Sequence, residues 1–290
     1  MSIPRNHHYV SQVLIRKFLD KDNNLYTYSK ESGSIEEKKW SRFDFAEKDL
    51  NSTVDEFGQV EHSSVEEILN QHVETGFNNH YNKVMDAIFS NDFSELIESI
   101  KYLIRMGIIG DMRTPYRQAE RQNIVLDSYR MISKRATKEI QDSLEEFESR
   151  TSDIKNKMPI DYKAIIDKTL DLMGETIYSV FEAPQSDFFF LPDCSSIVVR
   201  SQLEDDTIID GIVFHNPTRP ISTVILPINS KVVLVAQSKK ICPQESHGIY
   251  KLSSNDVDEY NIMFLEKAHD KVICENKEYL NQFVSKYKCC

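Results

Sequence analysis

The sequence lacks long apolar runs, and this shortage excludes a membrane-spanning protein. Its 290 residues are 40% apolar, but no stretch approaches the roughly 18 consecutive apolar residues that a transmembrane helix needs. The first residues also lack the apolar segment and small-residue cleavage site of a secretory signal. We therefore expect no membrane association and a cytoplasmic location.

Cysteine is scarce and confined to the last third of the chain. The five cysteines are Cys194, Cys242, Cys274, Cys289 and Cys290, and no two of them form a C-x-x-C pair. The odd number and the missing pair motif argue against a disulfide framework and against a thiolate zinc site.

The common catalytic motifs are missing too. The sequence contains no Gly-rich phosphate loop, no G-x-S-x-G nucleophile elbow and no H-E-x-x-H metal helix. Any chemistry must therefore come from side chains that folding brings together.

Acidic residues outnumber basic ones, which gives a formal net charge of -11. This balance argues against a generally basic surface that coats nucleic acid. Residues 101–138 are an exception, with nine basic and three acidic residues. Such a patch could hold the phosphate of a nucleotide or of a short nucleic acid. Alternatively, its cations pair with the acidic helices around them.

The hydrophobic pattern changes along the chain. Helical spacing prevails from Val65 to about residue 149, with Thr114 predicted as an N-cap and Pro115 as a first helical residue. Ala164 to Phe181 is predicted as a further helix. Strands are predicted for a hairpin at 24–40 and for β-branched and aromatic runs between 188 and 236. Helices return at 255–268 and 277–287.

These patterns predict an α+β fold. Its N-terminal two-thirds would be mainly helical, and a small, mostly antiparallel sheet would be built from the late strands and the N-terminal hairpin. We expect one domain over residues 1–290. A subdivision is also compatible with the pattern, with a helical part at 1–150, a linker at about 150–160 and a strand-containing part at 161–290.

Several short motifs with polar residues follow one another along the chain. The start contains His8-Tyr9-Val10-Ser11-Gln12 and Arg16-Lys17-Phe18, and the Asn24–Tyr28 strand follows. Next come Glu67 and Glu74 seven residues apart, then Arg113-Thr114-Pro115, and then a strand ending in Asp193.

This order resembles domain-of-unknown-function family 4238, found mainly in bacteria, which opens with a His-Tyr-Val-Pro-Gln pattern followed by Leu-Arg-x-Phe. The chain departs from the family at Ser11, where proline is usual, and at Cys194-Ser195, where the family has Asn-Pro after the aspartate. The resemblance implies a shared polar site at His8, Gln12, Glu67, Glu74, Arg113 and Asp193.

The residue types suggest a chemistry for that site. Glu67 and Glu74 would share one face of a helix, and with Asp193 they supply the oxygen ligands that Mg²⁺ or Mn²⁺ prefers. His8 would be the general acid or base, because its ordinary pKa lies near working pH. Arg113 and Arg117, at the start of a helix, would neutralise phosphate charge.

Two hypotheses follow. The first is a metal-assisted hydrolase acting on a phosphodiester or nucleotide, of the toxin or phage-defence type. It assigns His8, Glu67, Glu74 and Asp193 to catalysis and Gln12, Arg113 and Arg117 to substrate binding, and it predicts that they converge in a cleft with phosphate at the 113–121 face.

The second hypothesis is a non-catalytic binding or regulatory module. It predicts that the same residues are buried and mutually hydrogen-bonded as a structural network, or grip a small anion. A cysteine hydrolase using Cys194 is a third alternative.

Overall fold

The computed structural model describes residues 6–54, 60–90, 92–93, 96–134, 136–150, 160–200, 207–209, 212–214, 221–243 and 245–287. The predicted linker at about 150–160 lies almost entirely outside these ranges. The division into two parts that it would separate therefore stays a prediction.

Helices occur throughout the described chain. They are α1 (Gln12–Ile15), α2 (Ser64–Leu69), α3 (Phe77–Ser90), α4 (Ile97–Gly110), α5 (Pro115–Ser133), α6 (Lys138–Arg150), α7 (Tyr162–Met173), α8 (Ser254–Lys267) and α9 (Lys277–Tyr287). A π-helical turn at Asn70–Glu74 extends α2, and 3-10 turns at Arg16–Phe18 and Asp111–Arg113 extend α1 and α4.

Strands are equally widespread. They are β1 (Asn6–His8), β2 (Asn24–Ser29), β3 (Ile35–Lys39), β4 (Ala46–Lys48), β5 (Thr53–Val54), β6 (Val60–Glu61), β7 (Thr176–Glu182), β8 (Leu191–Pro192), β9 (Ile197–Arg200), β10 (Thr207–Ile209), β11 (Ile212–Phe214), β12 (Ile221–Asn229), β13 (Val232–Ser238), β14 (Gly248–Lys251) and β15 (Lys271–Cys274).

Two sheets form the framework of the protein. One has the strand order β14-β7-β13-β12-β9 and the other β3-β2-β15-β8. Every described pairing in them is antiparallel except that of β14 with β7. The predicted N-terminal hairpin is present as β2 and β3, and β15 joins it from the far end of the chain.

The predicted fold class is wrong in the size and distribution of its elements. Within the described ranges, the two sheets have five and four strands and are not small. Six described strands precede α2, and α8 and α9 follow the larger sheet. The segment Ala164–Phe181 caused part of the error. Its helix ends at Met173, Gly174 with φ of 65° turns the chain, and the remainder forms β7 between β13 and β14.

The central strands of the larger sheet are buried on both faces. Val224, Leu226 and Leu234 pack into a core shared with α4 and α7. Ile225 and Val235 pack on the opposite side, in a core shared with α8 and α9. Side chains alternate across a strand, so a strand covered on both faces is apolar at nearly every position. This explains the continuous apolar runs in the sequence.

Gly110 lets α4 approach the turn that leads into β9. A Cβ atom at Gly110 would lie 2.6 Å from the carbonyl oxygen of Cys194 and 2.9 Å from the Cβ of Ser195. Ser195 itself has a φ of 65°, a backbone conformation that residues other than glycine rarely adopt. The close approach holds the Asp111–Arg113 turn beside the segment between β8 and β9, which contains Asp193.

We expect Gly110→Ala to destabilise the protein by about 2 kcal/mol, because the added methyl group meets rigid backbone. Gly76→Ala is the comparison, since its Cβ would meet the far end of the Tyr102 side chain, whose hydroxyl also accepts from the Gly76 N–H at 2.9 Å, and not rigid backbone. Urea unfolding of both variants measures the difference. Equal stability of Gly110→Ala and wild type would contradict the close packing.

Asp20 organises the turn that enters the β2–β3 hairpin. Its carboxylate accepts hydrogen bonds from the backbone N–H groups of Asp22 and Asn24, at 2.8 and 2.7 Å, and from the hydroxyl of Tyr26 at 2.7 Å. Burial opposes ionisation, but the hydrogen bonds from Tyr26 and Asn24 prevail and lower the pKa of Asp20 to about 2.

The depressed pKa predicts a pH-dependent stability. The ionised Asp20 contributes stability above the pKa of its unfolded state, about 4, and loses it as the pH falls towards the folded value of about 2. The gap in unfolding free energy between wild type and Asp20→Asn should therefore be constant near neutral pH and shrink below about pH 4. Urea unfolding at several pH values measures it, and a gap that does not narrow would contradict the assignment.

Candidate functional site

Arg113 is the centre of a buried polar network. Its side chain is only 2% exposed, at the end of the turn that follows α4. Nη2 donates to the backbone carbonyl of His8 at 2.8 Å, and Nη1 lies 3.2 Å from Oε1 of Glu74. One guanidinium thus joins the N-terminal strand, the π-helical turn and the end of α4.

His8 and Gln12 form a smaller cluster at the surface. His8 Nε2 lies 2.6 Å from the carbonyl oxygen of Arg42 and 2.5 Å from Gln12 Nε2. Gln12 Nε2 also donates to the Arg42 carbonyl at 2.6 Å. The two side chains are in contact although His8 belongs to β1 and Gln12 starts α1.

A neighbouring set of buried polar residues escaped the sequence analysis. His7 Nδ1 accepts from the backbone N–H of Asn51 at 2.8 Å. The Asn51 amide nitrogen donates to Glu66 Oε1 at 2.5 Å, and the amide nitrogen of Gln118 donates to Asn51 Oδ1 at 3.0 Å. The strand alternation of β1 was the available signal, since it turns His7 inward when His8 lies at the surface.

Asp193 lies directly after β8. Its Oδ1 accepts from the backbone N–H of His269, and its Oδ2 accepts from those of Asp270 and Lys271, each at 2.8 Å. The residue is 6% exposed. Asp193 therefore fixes the segment that enters β15. The pKa of the nearby Tyr9 rises to about 12, mainly because the side chain is buried and next because of the negative charges of Asp193 and Asp270.

An arginine-lined cleft opens beside the turn after α4. Its volume is about 610 Å³, within the range of roughly 300–1,000 Å³ that is usual for small-molecule sites. It is lined by Ile108, Asp111, Met112, Arg117, Glu120, Arg121, Val198 and Arg200. The cleft lies on the face predicted to hold phosphate. Arg113 itself is not among its lining residues.

Asp111 connects the cleft to His269. Its Oδ2 accepts from Arg117 Nε at 2.7 Å, and its Oδ1 lies 2.8 Å from His269 Nε2. Burial would raise the pKa of Asp111, but the hydrogen bonds to His269 and Arg117 outweigh it and hold the pKa below its ordinary value. Arg117 also pairs with Glu120 at 2.5 Å. Burial lowers the pKa of Arg121, as expected for a cation withdrawn from water.

The start of α5 is as the sequence predicts. Helix α5 begins at Pro115, and Thr114 Oγ1 accepts from the backbone N–H of Arg117 at 3.2 Å, so Thr114 is the N-cap. This cap places Arg117 in the first turn of α5. The local sequence thus fixes one wall of the cleft.

Hydrogen bonds link His8, Gln12, Glu74 and Arg113, and among the described residues neither Glu67 nor Asp193 forms a side-chain hydrogen bond with any of them. Glu67 is exposed, because the π-helical turn between Glu67 and Glu74 breaks the helical phase that would align them. Among the described residues, no group of three or more His, Cys, Asp or Glu side chains is arranged to hold a metal ion. The assignment of Glu67, Glu74 and Asp193 as Mg²⁺ or Mn²⁺ ligands stays a prediction.

Cys194 has the environment of a structural thiol. It is 2% exposed, and its Sγ lies 3.2 Å from the carbonyl oxygen of Ser196. Burial, followed by the charges of Asp193 and Asp111, raises its pKa to about 12. A thiol protonated at neutral pH is a poor nucleophile, which argues against the cysteine hydrolase.

Together, these features define a mixed helix and sheet protein with a buried polar network beside an arginine-lined cleft. The chain belongs to the family described as Protein of unknown function (DUF4238), whose model matches residues 6–278. That match extends over both parts of the subdivision considered from the sequence. Searches of the curated proteins and of the solved structures gave no match. Within the described ranges, every helix is too short or too polar to cross a bilayer.

Proposed function

We propose that this chain is a non-catalytic binding module, in which the polar network is structural and the arginine-lined cleft holds a small phosphate-bearing ligand. The observation that carries the proposal is the burial of Arg113 and Asp193, whose hydrogen bonds go to other parts of the same chain. A buried guanidinium that joins three segments is suited to holding them together. It is poorly placed to meet a substrate.

The cleft has the composition of an anion site. Arg117, Arg121 and Arg200 line it together with two carboxylates, Asp111 and Glu120, so among the described lining residues cations exceed anions by one. The N-terminus of α5, two residues before Arg117, adds the partial positive charge of a helix start. Guanidinium groups bind phosphate in a bidentate manner.

The geometry favours this hypothesis over the metal-assisted hydrolase, which requires the polar residues to converge on one cleft. The carboxylate of Asp193 already accepts hydrogen bonds from three backbone N–H groups, and Glu67 is exposed on α2. The hydrolase stays a prediction from the sequence. Its test is the release of product from a phosphodiester in the presence of Mn²⁺.

Isothermal titration with inorganic phosphate, pyrophosphate and ATP tests the proposed function. We expect at least one of these probes to bind wild type, and Arg121→Gln to weaken that binding by at least about tenfold, since a charge-assisted hydrogen bond is lost. Arg42→Gln is the matched control, because Arg42 is exposed and lies outside the cleft. Loss of binding in both variants, no binding of any probe, or turnover of ATP would each contradict the proposal.

A further inference from the structure

A second pocket lies between α4 and α7. Its volume is about 460 Å³, and it is lined by Lys101, Arg105, Asp167, Leu170, Asp171, Gly174, Thr176 and Tyr178. Among the described residues, the pocket shares no lining residue with the arginine-lined cleft. A ligand in it would therefore occupy a separate site.

The two helices contribute opposite charges to this pocket. Lys101 and Arg105 are four residues apart on α4, and Asp167 and Asp171 are four residues apart on α7. Residues at this spacing lie on one face of a helix. One wall of the pocket is therefore cationic and the other anionic.

These charges are incompletely matched within the protein. Asp167 pairs with Lys163 at 2.7 Å, but Arg105 forms no hydrogen bond or ion pair with a residue that the structure describes. Its guanidinium lies over the ring of Tyr102, 5.5 Å from the centroid, and its Nε is buried without an acceptor among the described residues. Arg105 lines the pocket, so a ligand carboxylate there could pair with its guanidinium group.

The charge pattern selects among ligand classes. A simple anion would be attracted by α4 but repelled by Asp167 and Asp171, and a simple cation would meet the reverse. A molecule that carries both charges can satisfy both walls. The part of the lining formed by Leu170, Gly174 and Thr176 is mixed in polarity, as is usual where a small ligand is oriented by a few charged groups.

We propose that this pocket binds a free α-amino acid. Its carboxylate contacts Arg105 and Lys101, and its ammonium group contacts Asp171 and Asp167. Because Asp167 already has Lys163 as a partner, Asp171 is the main acceptor for the ammonium group.

Thermal unfolding in the presence of each of the twenty proteinogenic amino acids identifies the ligand, because a molecule that binds only the native state raises the unfolding midpoint. Isothermal titration then gives its affinity for wild type, Arg105→Gln and Asp171→Asn. We expect each substitution to weaken binding by at least about tenfold. Arg121→Gln, in the other cleft, should bind the amino acid as wild type does.

Derivatives separate the two charges. The N-acetyl derivative lacks the ammonium group and the methyl ester lacks the carboxylate, so both should bind at least about tenfold more weakly than the free amino acid. No stabilisation by any amino acid, equal binding of the N-acetyl derivative, or binding unchanged in Arg105→Gln and Asp171→Asn would overturn the proposal. Circular dichroism of the two variants confirms that each is folded before titration.

Discussion

Replacing Arg113 with methionine is expected to lower the free energy of unfolding by about 3 kcal/mol, because a buried charged partner is removed while its acceptors remain. The variant leaves the His8 carbonyl without its donor and Glu74 without its cation. Methionine fills much of the same volume, so the loss reports the hydrogen bonds more than a cavity. Urea unfolding followed by circular dichroism measures the difference.

Arg117→Met is the matched control for Arg113→Met. Like Arg113, Arg117 forms ion pairs, in this case with Asp111 and Glu120, but its side chain is 45% exposed. Ion pairs this exposed contribute at most about 1 kcal/mol. A larger loss in Arg117→Met than in Arg113→Met would mean that the buried network is not what stabilises this part of the fold.

Asp193→Ala is expected to destabilise the protein by about 3 kcal/mol or more, since three backbone N–H groups lose their acceptor at once. Asp193→Asn retains one side-chain oxygen and should fall between wild type and alanine. Thermal unfolding of the three proteins gives the order.

Glu67→Ala provides the comparison for Asp193→Ala, because both residues were predicted as metal ligands and only Asp193 is buried. We expect Glu67→Ala to unfold within about 0.5 kcal/mol of wild type, as surface substitutions usually do. If Mn²⁺ raised the unfolding midpoint of wild type but of neither variant, a metal site at these residues would be supported. Stabilising the fold would then not be the only role of Asp193.

The features set by short-range chemistry were predictable from the sequence. The β2–β3 hairpin and the Thr114 cap before Pro115 follow from local propensity and turn residues. In each case the interacting residues are close in sequence.

The remainder depends on tertiary structure. Helical spacing was followed to Phe181 past Gly174, although glycine often ends a helix. The residues after it form β7 through pairing with β13 and β14, which are distant in sequence. The π-helical turn that separates Glu67 from Glu74 has no reliable sequence signal. The same holds for Asp193, whose three donors come from residues more than seventy positions later in the chain.

In the proposed function, Arg113 is expected to maintain the fold and Arg121 to bind the phosphate-bearing ligand. Pyrophosphate titration and urea unfolding of Arg113→Met and Arg121→Gln, carried out at a temperature where both are folded, test it most directly. We expect Arg113→Met to lose stability and keep its pyrophosphate affinity, and Arg121→Gln to keep its stability and lose at least about tenfold in affinity. A stable Arg113→Met that no longer binds pyrophosphate would contradict the account and return Arg113 to the binding site.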